Sequence, residues 1–397
     1  MMILTKRLSL ILASITIVVG GSYYLTGKLI QKSYYEAITK INLQPNIKVN
    51  LVEYQRGFIN STAELTLEIG TSNPEDIQVI PLRQAITHGP IIVANTENGP
   101  QLKLLAGQIK TSLGEPWQTK LKNYTQNQQP LNITTLINFS NQATTWLRVA
   151  GIDQTTPSQF HVAWATINGL IQHDLHFANY KGNLNLPKML MEKPEWKFTL
   201  DNFVLNLDAN KQSTAYASNN NLSTASMVFA KQGRDIVKLD GLTAQITFFV
   251  KDNNLALNAE AKIANSQIVE QQFTQETLKL QINNINNATL KNLPRVSALS
   301  PRGTIDLLQQ ITANSTELTL ELPKHFTEAM LSYFSFEVYR VSYLGKFDRR
   351  PEQEILKDIT GGINKLVQGA VKQKIFLDKG KHYALNFNSN ADNTYSH

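Results

Sequence analysis

The feature that most constrains this chain is a long uncharged stretch close to its N-terminus. No Asp, Glu, Lys or Arg occurs between Arg7 and Lys28, a gap of 20 residues. A helix needs about 20 mostly apolar residues to cross a bilayer, and it satisfies its own backbone hydrogen bonds there. Lys6 and Arg7 precede the stretch, so the positive-inside rule keeps the N-terminus in the cytoplasm. We therefore predict a single membrane anchor, with the remaining chain on the far side. The predicted anchor residues are Leu8, Leu10, Ile11, Leu12, Ile15, Ile17, Val18, Val19, Tyr23, Tyr24 and Leu25.

Two alternatives stay open for this segment. A cleaved signal peptide would use the apolar stretch from Leu8 to Val19, with Gly20-Gly21-Ser22 as a small-residue cleavage site. The usual Ala-x-Ala pattern is missing, and the apolar stretch continues to Leu25, which favours an uncleaved anchor. The other alternative is a buried helix of a soluble protein. The anchor and the signal peptide both predict export of the rest of the chain.

After the anchor, the chain changes from a helical to a strand-like pattern. Residues 28–43 have helical spacing, which Pro45 ends. From about residue 46, apolar and polar residues alternate, and short polar turns separate the alternating runs, which favours an antiparallel meander. We predict a mainly β fold with helices (α+β). Residues 1–45 form the cytoplasmic tip, the transmembrane anchor and a helical extension, residues 46–322 an antiparallel β-rich periplasmic domain, and residues 323–397 a C-terminal helical segment with final strands and a disordered tail.

Two amphipathic helices are predicted in the C-terminal segment. The first begins after Pro323, and the second covers Ile355 to Ala370, with an interruption at Gly361-Gly362. A last strand pair is predicted between Ile375 and Phe387. The residues from Asn390 onward have the composition of a disordered tail.

The longest alternating runs predict an apolar sheet face. Such a face must be covered by another sheet, by helices or by something that is not protein. Closed packing against protein is what alternation usually indicates, whereas an open face could hold an acyl chain. The residues of the predicted face are Leu242, Ala244, Ile246, Phe248, Val250, Leu255, Leu257, Ala259, Ala261 and Ile263.

Charge and cysteine content exclude several classes of site. The net charge is +7, but residues 1–35 hold four Lys or Arg and no acid, which leaves 34 basic and 31 acidic residues elsewhere. That small excess is spread along the chain without a basic stripe, so we predict no nucleic-acid partner. The absence of cysteine excludes disulfides, thiolate metal sites and cysteine catalysis.

No catalytic motif is recognisable in the sequence. There is no nucleophile elbow, Walker loop, Gly-x-Gly-x-x-Gly or His-Glu-x-x-His. We therefore predict no enzyme, no catalytic residue, no cofactor and no metal. His173 and His176, with His161 nearby, could bind zinc from a helix, but in a strand they would point to opposite faces.

Two further candidates have ordinary interpretations. His88, in Thr87-His88-Gly89-Pro90, would need an orienting acid and a nucleophile for catalysis. We interpret the segment as a shaped loop in which the histidine caps a backbone group. The acid pairs Glu352 with Glu354 and Asp174 with Glu192 are interpreted as solvated surface.

Several segments resemble a known family when they are taken together. Tyr54-Gln55-Arg56-Gly57-Phe58-Ile59-Asn60-Ser61 follows the anchor, Ile86-Thr87-His88-Gly89-Pro90 comes next, and Leu366-Val367-Gln368-Gly369 precedes a strand around Tyr383-Ala384-Leu385. This order resembles the YdgA-like family of bacterial inner-membrane proteins of unknown function, in which Trp often stands at the position of Phe58. The resemblance implies an inner-membrane, periplasm-facing protein and carries over no catalytic residue. The motif residues are Arg56, Gly57, Phe58, Ser61, His88, Gly89 and Pro90.

These observations predict a function without chemistry. We expect a single-pass protein of the bacterial inner membrane, with its bulk in the periplasm, that holds a lipid or another amphiphile on the apolar sheet face. The alternative is a structural or partner-binding envelope protein with a closed core and no ligand, acting as a homo-oligomer or with another envelope protein. A hydrolase is the third hypothesis, and it requires a pocket with converging titratable groups near His88 or His173.

Overall fold

The structure is a computed structural model in which the described residues fall into two compact units. The first unit comprises the described residues up to 153 together with 166–184, and the second comprises 154–165, 185–285 and those from 317 onward. For residues 2–21 and for some residues beside several of the gaps, only the backbone is described. The described ranges are 2–42, 47–69, 78–96, 99–175, 178–212, 215–251, 254–285, 317–342, 348–373 and 376–388.

The N-terminal helix α1 runs without a break from Met2 to Ile41. The predicted helical extension is therefore continuous with the segment that precedes it. The predicted anchor side chains from Leu8 to Val19 lie outside the side chains that the structure describes. Among the described residues, no helix combines the length and the apolar character needed to cross a membrane.

The first unit is built on an antiparallel sheet. Each strand of this sheet pairs with the next one in the order β1, β2, β3, β6, β7, β8 and β11. A hairpin of β4 and β5 and the short helix α2 complete the unit. The bounds are β1 Ile47–Arg56, β2 Asn60–Ile69, β3 Gln78–His88, β4 Ile91–Thr96, β5 Gly99–Leu104, β6 Gly107–Leu113, α2 Trp117–Lys122, β7 Leu131–Ile137, β8 Gln142–Val149 and β11 Ile167–Asp174.

Each face of this sheet is covered by a different element. Along β2, Ala63 and Leu65 are buried while Glu64 between them is exposed, as the alternation predicts. The C-terminal half of α1 packs on the apolar face, where Ile30 and Tyr34 join the buried side chains of β1, β2 and β3. The β4–β5 hairpin packs on the opposite face in a separate apolar cluster formed by Ile92, Ala94, Leu105 and Leu136, with Trp146 against it.

The second unit contains a meander of long antiparallel strands. Pairing runs from β13 through β14, β15, β16 and β17 to β18, and β18 then pairs with β20. The predicted antiparallel meander is therefore confirmed. The bounds are β9 Ile152–Thr155, β10 His161–Trp164, β12 Asn179–Lys193, β13 Trp196–Gln212, β14 Ala215–Lys231, β15 Arg234–Lys251, β16 Asn254–Ile268, β17 Gln271–Ile285, β18 Glu317–Pro323, β19 Leu377–Asp378 and β20 His382–Asn388.

The ladder between β13 and β14 is interrupted between Asp201 and Val204. Asp201 pairs with Ser226, but the next aligned pair is Val204 with Ser223, and Asn202 between them has a φ of 52°. Two residues are unpaired in each strand at this point, so the register is the same on both sides of the interruption.

Two C-terminal helices lie in the second unit, as the helical spacing predicts. Helix α3 covers Lys324–Val341, directly after Pro323, and helix α4 covers Glu352–Lys372. The predicted interruption of α4 at Gly361-Gly362 is wrong, because the helix passes through both glycines. An exposed glycine inside a helix costs only about 1 kcal/mol. The apolar contacts of α4 on the N-terminal side of the pair, at Ile355, Leu356 and Ile359, outweigh that cost.

The strand register places the ten residues of the predicted apolar face directly opposite one another. At one end of that face, α3 and α4 cover Leu242 and Ile263 in the helix-covered cluster, which also contains Phe326, Tyr333 and Ile355. At the other end, Leu255, Leu257, Ile282 and Leu318 form the strand cluster, whose members are all strand residues. The opposed pairs are Leu242 with Ile263, Ala244 with Ala261, Ile246 with Ala259, Phe248 with Leu257, and Val250 with Leu255.

Candidate functional site

The two motif segments of the sequence meet at one end of the first unit's sheet. Arg56 ends β1, Ser61 lies near the start of β2, and His88 ends β3. Because β2 pairs antiparallel with both neighbours, Arg56 lies opposite Ser61, and the His88 end of β3 lies beside the start of β2. The structure therefore brings together residues that lie 27 positions apart in the sequence.

Ser61 and His88 form a buried hydrogen-bonded pair. Ser61 Oγ lies 2.7 Å from His88 Nε2, and the two residues are only 3% and 0% exposed. The backbone N–H of Gly57 donates to Ser61 Oγ at 3.3 Å. Among the described residues, His88 Nδ1 has no hydrogen-bond partner. The interpretation of His88 as a cap on a backbone group is therefore wrong, since its ring bonds to a side-chain hydroxyl.

Helix α1 covers this pair through two small residues. A Cβ built on Gly27 would lie 3.5 Å from the His88 ring, so the helix backbone rests on the imidazole. The buried hydroxyl of Thr26 lies 2.8 Å from the carbonyl oxygen of Gly89 and also 2.8 Å from that of Ser22. Neither Thr26 nor Gly27 was predicted, because a contact between a helix and a distant turn leaves no local pattern in the sequence.

Contacts between α1 and the rest of the first unit continue along the helix on both sides of Gly27. The Tyr23 hydroxyl donates to the carbonyl oxygen of Ile91 at 2.7 Å. Further along, a Cβ built on Gly107 would lie 2.2 Å from Ile30 Cδ1, so any larger residue there would have to displace the end of the Ile30 side chain. Tyr34 donates to Gln84 Oε1 at 2.6 Å. We call this set of contacts between residues 22–41 and the sheet the helix seat.

Arg56 connects the first motif segment to the helix. Its Nη2 donates to the carbonyl oxygen of Tyr24 at 3.2 Å, and its guanidinium carbon lies 4.7 Å from the centre of the Tyr24 ring. Lys28 Nζ lies 5.2 Å from the same ring. Cations placed over an aromatic face are attracted by its quadrupole. Phe58, on the turn after Arg56, is exposed, and its ring centre lies 6.5 Å from that of Tyr23.

The surroundings of His88 disfavour its protonation. Burial lowers the pKa of the imidazole below the ordinary 6.5, and the positive charge of Arg56 lowers it further. His88 is therefore neutral at pH 7, with one ring nitrogen available to accept the hydrogen of Ser61.

We expect this lowered pKa to make the first unit less stable in mild acid. The unfolded chain binds the proton more readily than the folded one, so the His88 contribution is complete above about pH 6.5 and is lost as the pH falls below that value. The slope from one group cannot exceed about 1.4 kcal/mol per pH unit. Urea unfolding between about pH 7.5 and pH 5 should show this loss in the wild type and a smaller one in His88→Gln.

His325→Gln is the matched control for that measurement, because its side chain is 81% exposed and lies in the second unit. Its pH dependence should follow that of the wild type. A His88→Gln variant with an unchanged slope would contradict the assignment.

The Ser61–His88 pair lacks two parts of a nucleophilic site. In such a site a carboxylate orients the histidine, and the serine oxygen faces a substrate. Here no described residue bonds to Nδ1, and both side chains are covered. The arrangement acts as a hydrogen-bonded support for α1.

The other candidate residues from the sequence lie apart from the helix seat. His173 lies in β11, where Nδ1 is 2.9 Å from the Asp174 carbonyl oxygen, and His176 lies outside the described residues. His161, in the second unit, lies 3.7 Å from a Glu192 oxygen. A search of the described residues finds no group of three or more His, Asp or Glu that could hold a metal. Glu352 and Glu354 are exposed in the first turn of α4.

Two of the cavities that contain charged groups lie one in each unit, and neither is lined by His88 or His173. One, of about 570 Å³, lies on the polar part of the first unit's sheet, where Arg83 pairs with Glu64 at 3.3 Å. The other, of about 760 Å³, lies in the second unit, where Lys231 and Arg340 lie 2.6 and 3.3 Å from Glu337. Each cavity therefore contains at least one ion pair between a basic and an acidic lining residue.

Comparison with known proteins gives one match. The sequence profile of a family described as "Bacterial protein of unknown function (DUF945)" matches residues 5–330. This range includes both motif segments and all of the helix seat. Neither the curated proteins nor the solved structures gave a match.

Proposed function

The chain belongs to the bacterial DUF945 family, whose function is unknown, and from this premise we propose that it is a membrane-anchored, non-enzymatic protein of the cell envelope. In this proposal the protein holds a lipid or another amphiphile on the apolar sheet face of its second unit. The proposal includes a YdgA-like identity within the family. It also includes a location in the inner membrane, with residues 8–25 as an uncleaved anchor and the bulk of the chain in the periplasm.

The helix seat supports the anchoring part of this proposal. The described side chains of α1 begin at residue 22, close to the end of the uncharged stretch. Tyr23, Thr26 and Gly27 contact the turns that carry the family motifs. A helix that is bonded to its domain over two turns would hold that domain at the membrane surface, whereas a flexible linker would let it diffuse away.

The proposal of a bound ligand rests on one observation: the helices cover only one end of the apolar face. The helices α3 and α4 cover one end of it, and the described members of the strand cluster come from strands alone. Between them lie Ala244, Ala259 and Ala261, small side chains that are only partly buried. Covering apolar surface is worth about 25 cal/mol per Å², so a long chain could bind along this row without a polar specificity site.

The described geometry also favours a passive role over a chemical one. The Ser61–His88 pair is buried under α1, and each of the two cavities contains an ion pair between lining residues. A non-enzymatic binding protein needs neither an exposed nucleophile nor an unpaired acid or base.

A second candidate function is a structural or partner-binding protein with a closed core, as a homo-oligomer or with another envelope protein. The cover formed by α3 and α4 favours it, because Phe326, Tyr333 and Phe336 are all buried against the sheet. If the same protection extended over the whole row, no ligand would be needed.

Replacing Ala259 with glutamate should remove the bound amphiphile. Ala259 lies opposite Ile246 and Leu280, in the middle of the apolar row. Placing a carboxylate there costs several kcal/mol if an acyl chain covers it, and about 1.4 kcal/mol already weakens binding tenfold. The protein should be extracted in mild detergent, and the lipid carried per chain should be measured by mass spectrometry. We expect a loss of about tenfold or more relative to the wild type.

Asn258→Glu is the matched control. Asn258 is the adjacent residue on the opposite face, where it lies between Thr247 and Gln281. It should retain the lipid. A wild-type protein that is free of lipid, or an equal loss in both variants, would favour the closed-core function.

A further inference from the structure

We infer that the hairpin of β4 and β5, together with the turn between β1 and β2, forms a surface that inserts into the bilayer interface beside the anchor. The inference rests on the proposed function, because it requires α1 to hold the first unit at a membrane. It adds a second point of attachment, made by strand and turn residues.

The outer face of the hairpin is apolar and open to solvent. Ile91 lies opposite Leu104, and Val93 lies opposite Leu102, so the four side chains form one continuous patch. Their exposures are 44%, 72%, 61% and 74% in that order. Contiguous exposed aliphatic surface of this kind marks interaction sites. A surface that faced only water would instead place polar residues at these positions.

The inner face of the hairpin fixes this patch in place. Ile92 and Ala94 are buried between the hairpin and the sheet. The backbone N–H of Asn95 donates to Gln108 Oε1 at 2.8 Å. The exposed side chains are therefore presented on a hairpin that is packed against the sheet. Both faces of β4 are apolar: the inner face packs against the sheet, and the outer face is open to solvent.

The patch adjoins the point where the predicted anchor ends. The Tyr23 hydroxyl donates to the carbonyl oxygen of Ile91, and the Tyr23 ring lies 6.5 Å from that of Phe58. Phe58 and Ile59, on the turn between β1 and β2, are 57% and 47% exposed. Tyrosines mark the interface at the ends of membrane helices. If Tyr23 lies at that depth, Ile91 and Phe58 lie there as well.

The charges around the patch suit a lipid surface. The strands β4 and β5 contain one cation, Lys103, and no acid, and the one acid of the hairpin, Glu97, follows β4 at the end of the strand away from Ile91 in the sequence. Lys28 and Arg56 both lie over the ring of Tyr24, the residue after Tyr23. Basic residues beside an apolar surface are attracted to anionic headgroups. The occupant that these features fit is the bilayer that holds α1.

Depth-dependent quenching can test the inference on the full chain. The chain contains no cysteine, so single-cysteine variants can each carry one environment-sensitive fluorophore. Leu102→Cys reports on the hairpin, Ile15→Cys on the anchor, and Val338→Cys, at an exposed position of α3, on a surface in water. Each variant is reconstituted into phosphatidylethanolamine–phosphatidylglycerol vesicles that contain lipids with a quencher near the headgroup or in mid-chain.

We expect the Leu102 probe to be quenched at least about twofold more than the Val338 probe by the headgroup-level quencher, and the Ile15 probe to be quenched best by the mid-chain quencher. If the Ile15 probe is quenched while the Leu102 and Val338 probes behave alike, the hairpin inference is overturned and the anchor stands. If the Ile15 probe is not quenched at all, the anchor fails, and the hairpin inference fails with it.

Discussion

Replacing Gly89 with alanine should destabilise the first unit by about 3 kcal/mol. A Cβ built at this position would lie 1.7 Å from the carbonyl oxygen of Leu105 and 2.9 Å from its carbonyl carbon. These are backbone atoms, so no side-chain rotation can relieve the overlap. The Gly89 N–H donates to Ala106 and the Leu105 N–H donates to Pro90, which ties the two segments together on both sides of the contact. Any shift also disturbs the Gly89 carbonyl oxygen beneath Thr26.

The same substitution in α4 is the control. Gly361 lies exposed inside the helix, and a Cβ built there would have no atom within 4 Å apart from its chain neighbours and the backbone of its own helix. Gly361→Ala should therefore stabilise the second unit by about 1 kcal/mol. Urea unfolding with hydrogen exchange on β3 and β6 would assign each effect to its unit. If Gly89→Ala unfolded at the same urea concentration as the wild type, the backbones at Gly89 and Leu105 could not lie as close together as described.

Phe326→Ala should cost the second unit about 3–5 kcal/mol of unfolding free energy. Phe326 is 8% exposed and lies in the helix-covered cluster, with its ring centre 6.0 Å from that of Phe273 in an edge-to-face arrangement. The substitution removes a ring from between α3 and the sheet. It should also raise the binding of a dye that reports exposed apolar surface, because the helix would no longer protect Ile263 and Ile268.

Val338→Ala on the same helix is the control for that experiment. Val338 is 67% exposed, so its truncation should change stability by less than about 0.5 kcal/mol. A loss of similar size in both variants would mean that α3 does not pack as described. Together with Ala259→Glu, the result separates the two candidate functions, because Phe326 tests the covered end of the apolar face and Ala259 tests the uncovered row.

Some of the candidate surfaces could be predicted because they depend on alternation within single strands. The ten residues of the apolar face alternate along β15 and β16, and the two strands pair antiparallel with these residues directly opposite one another. The helical spacing after Pro323 likewise locates α3. By contrast, the apolar residues Ile91 to Ala94 do not alternate, so their pattern could not distinguish an inner from an outer face.

The helix seat could be predicted only in part. The motif segments around Arg56 and His88 were identified, but not the hydrogen bond between Ser61 and His88, because sequence separation carries no distance. The contacts of Thr26 and Gly27 were missed for the same reason. The interruption predicted in α4 failed because local propensity was weaker than the packing of the apolar face beside it.

The amino-acid sequence by itself indicated the antiparallel meander, the two C-terminal helices and the residues that share a face along β15 and β16. These properties depend on backbone periodicity and on neighbouring residues. Only the tertiary structure decided that α1 rests on the buried Ser61–His88 pair, that the β4–β5 hairpin exposes one apolar face, and that α3 and α4 cover one end of the second unit's sheet. Such contacts join residues far apart in the chain, and the packing of the folded chain selects among partners that are equivalent in local pattern.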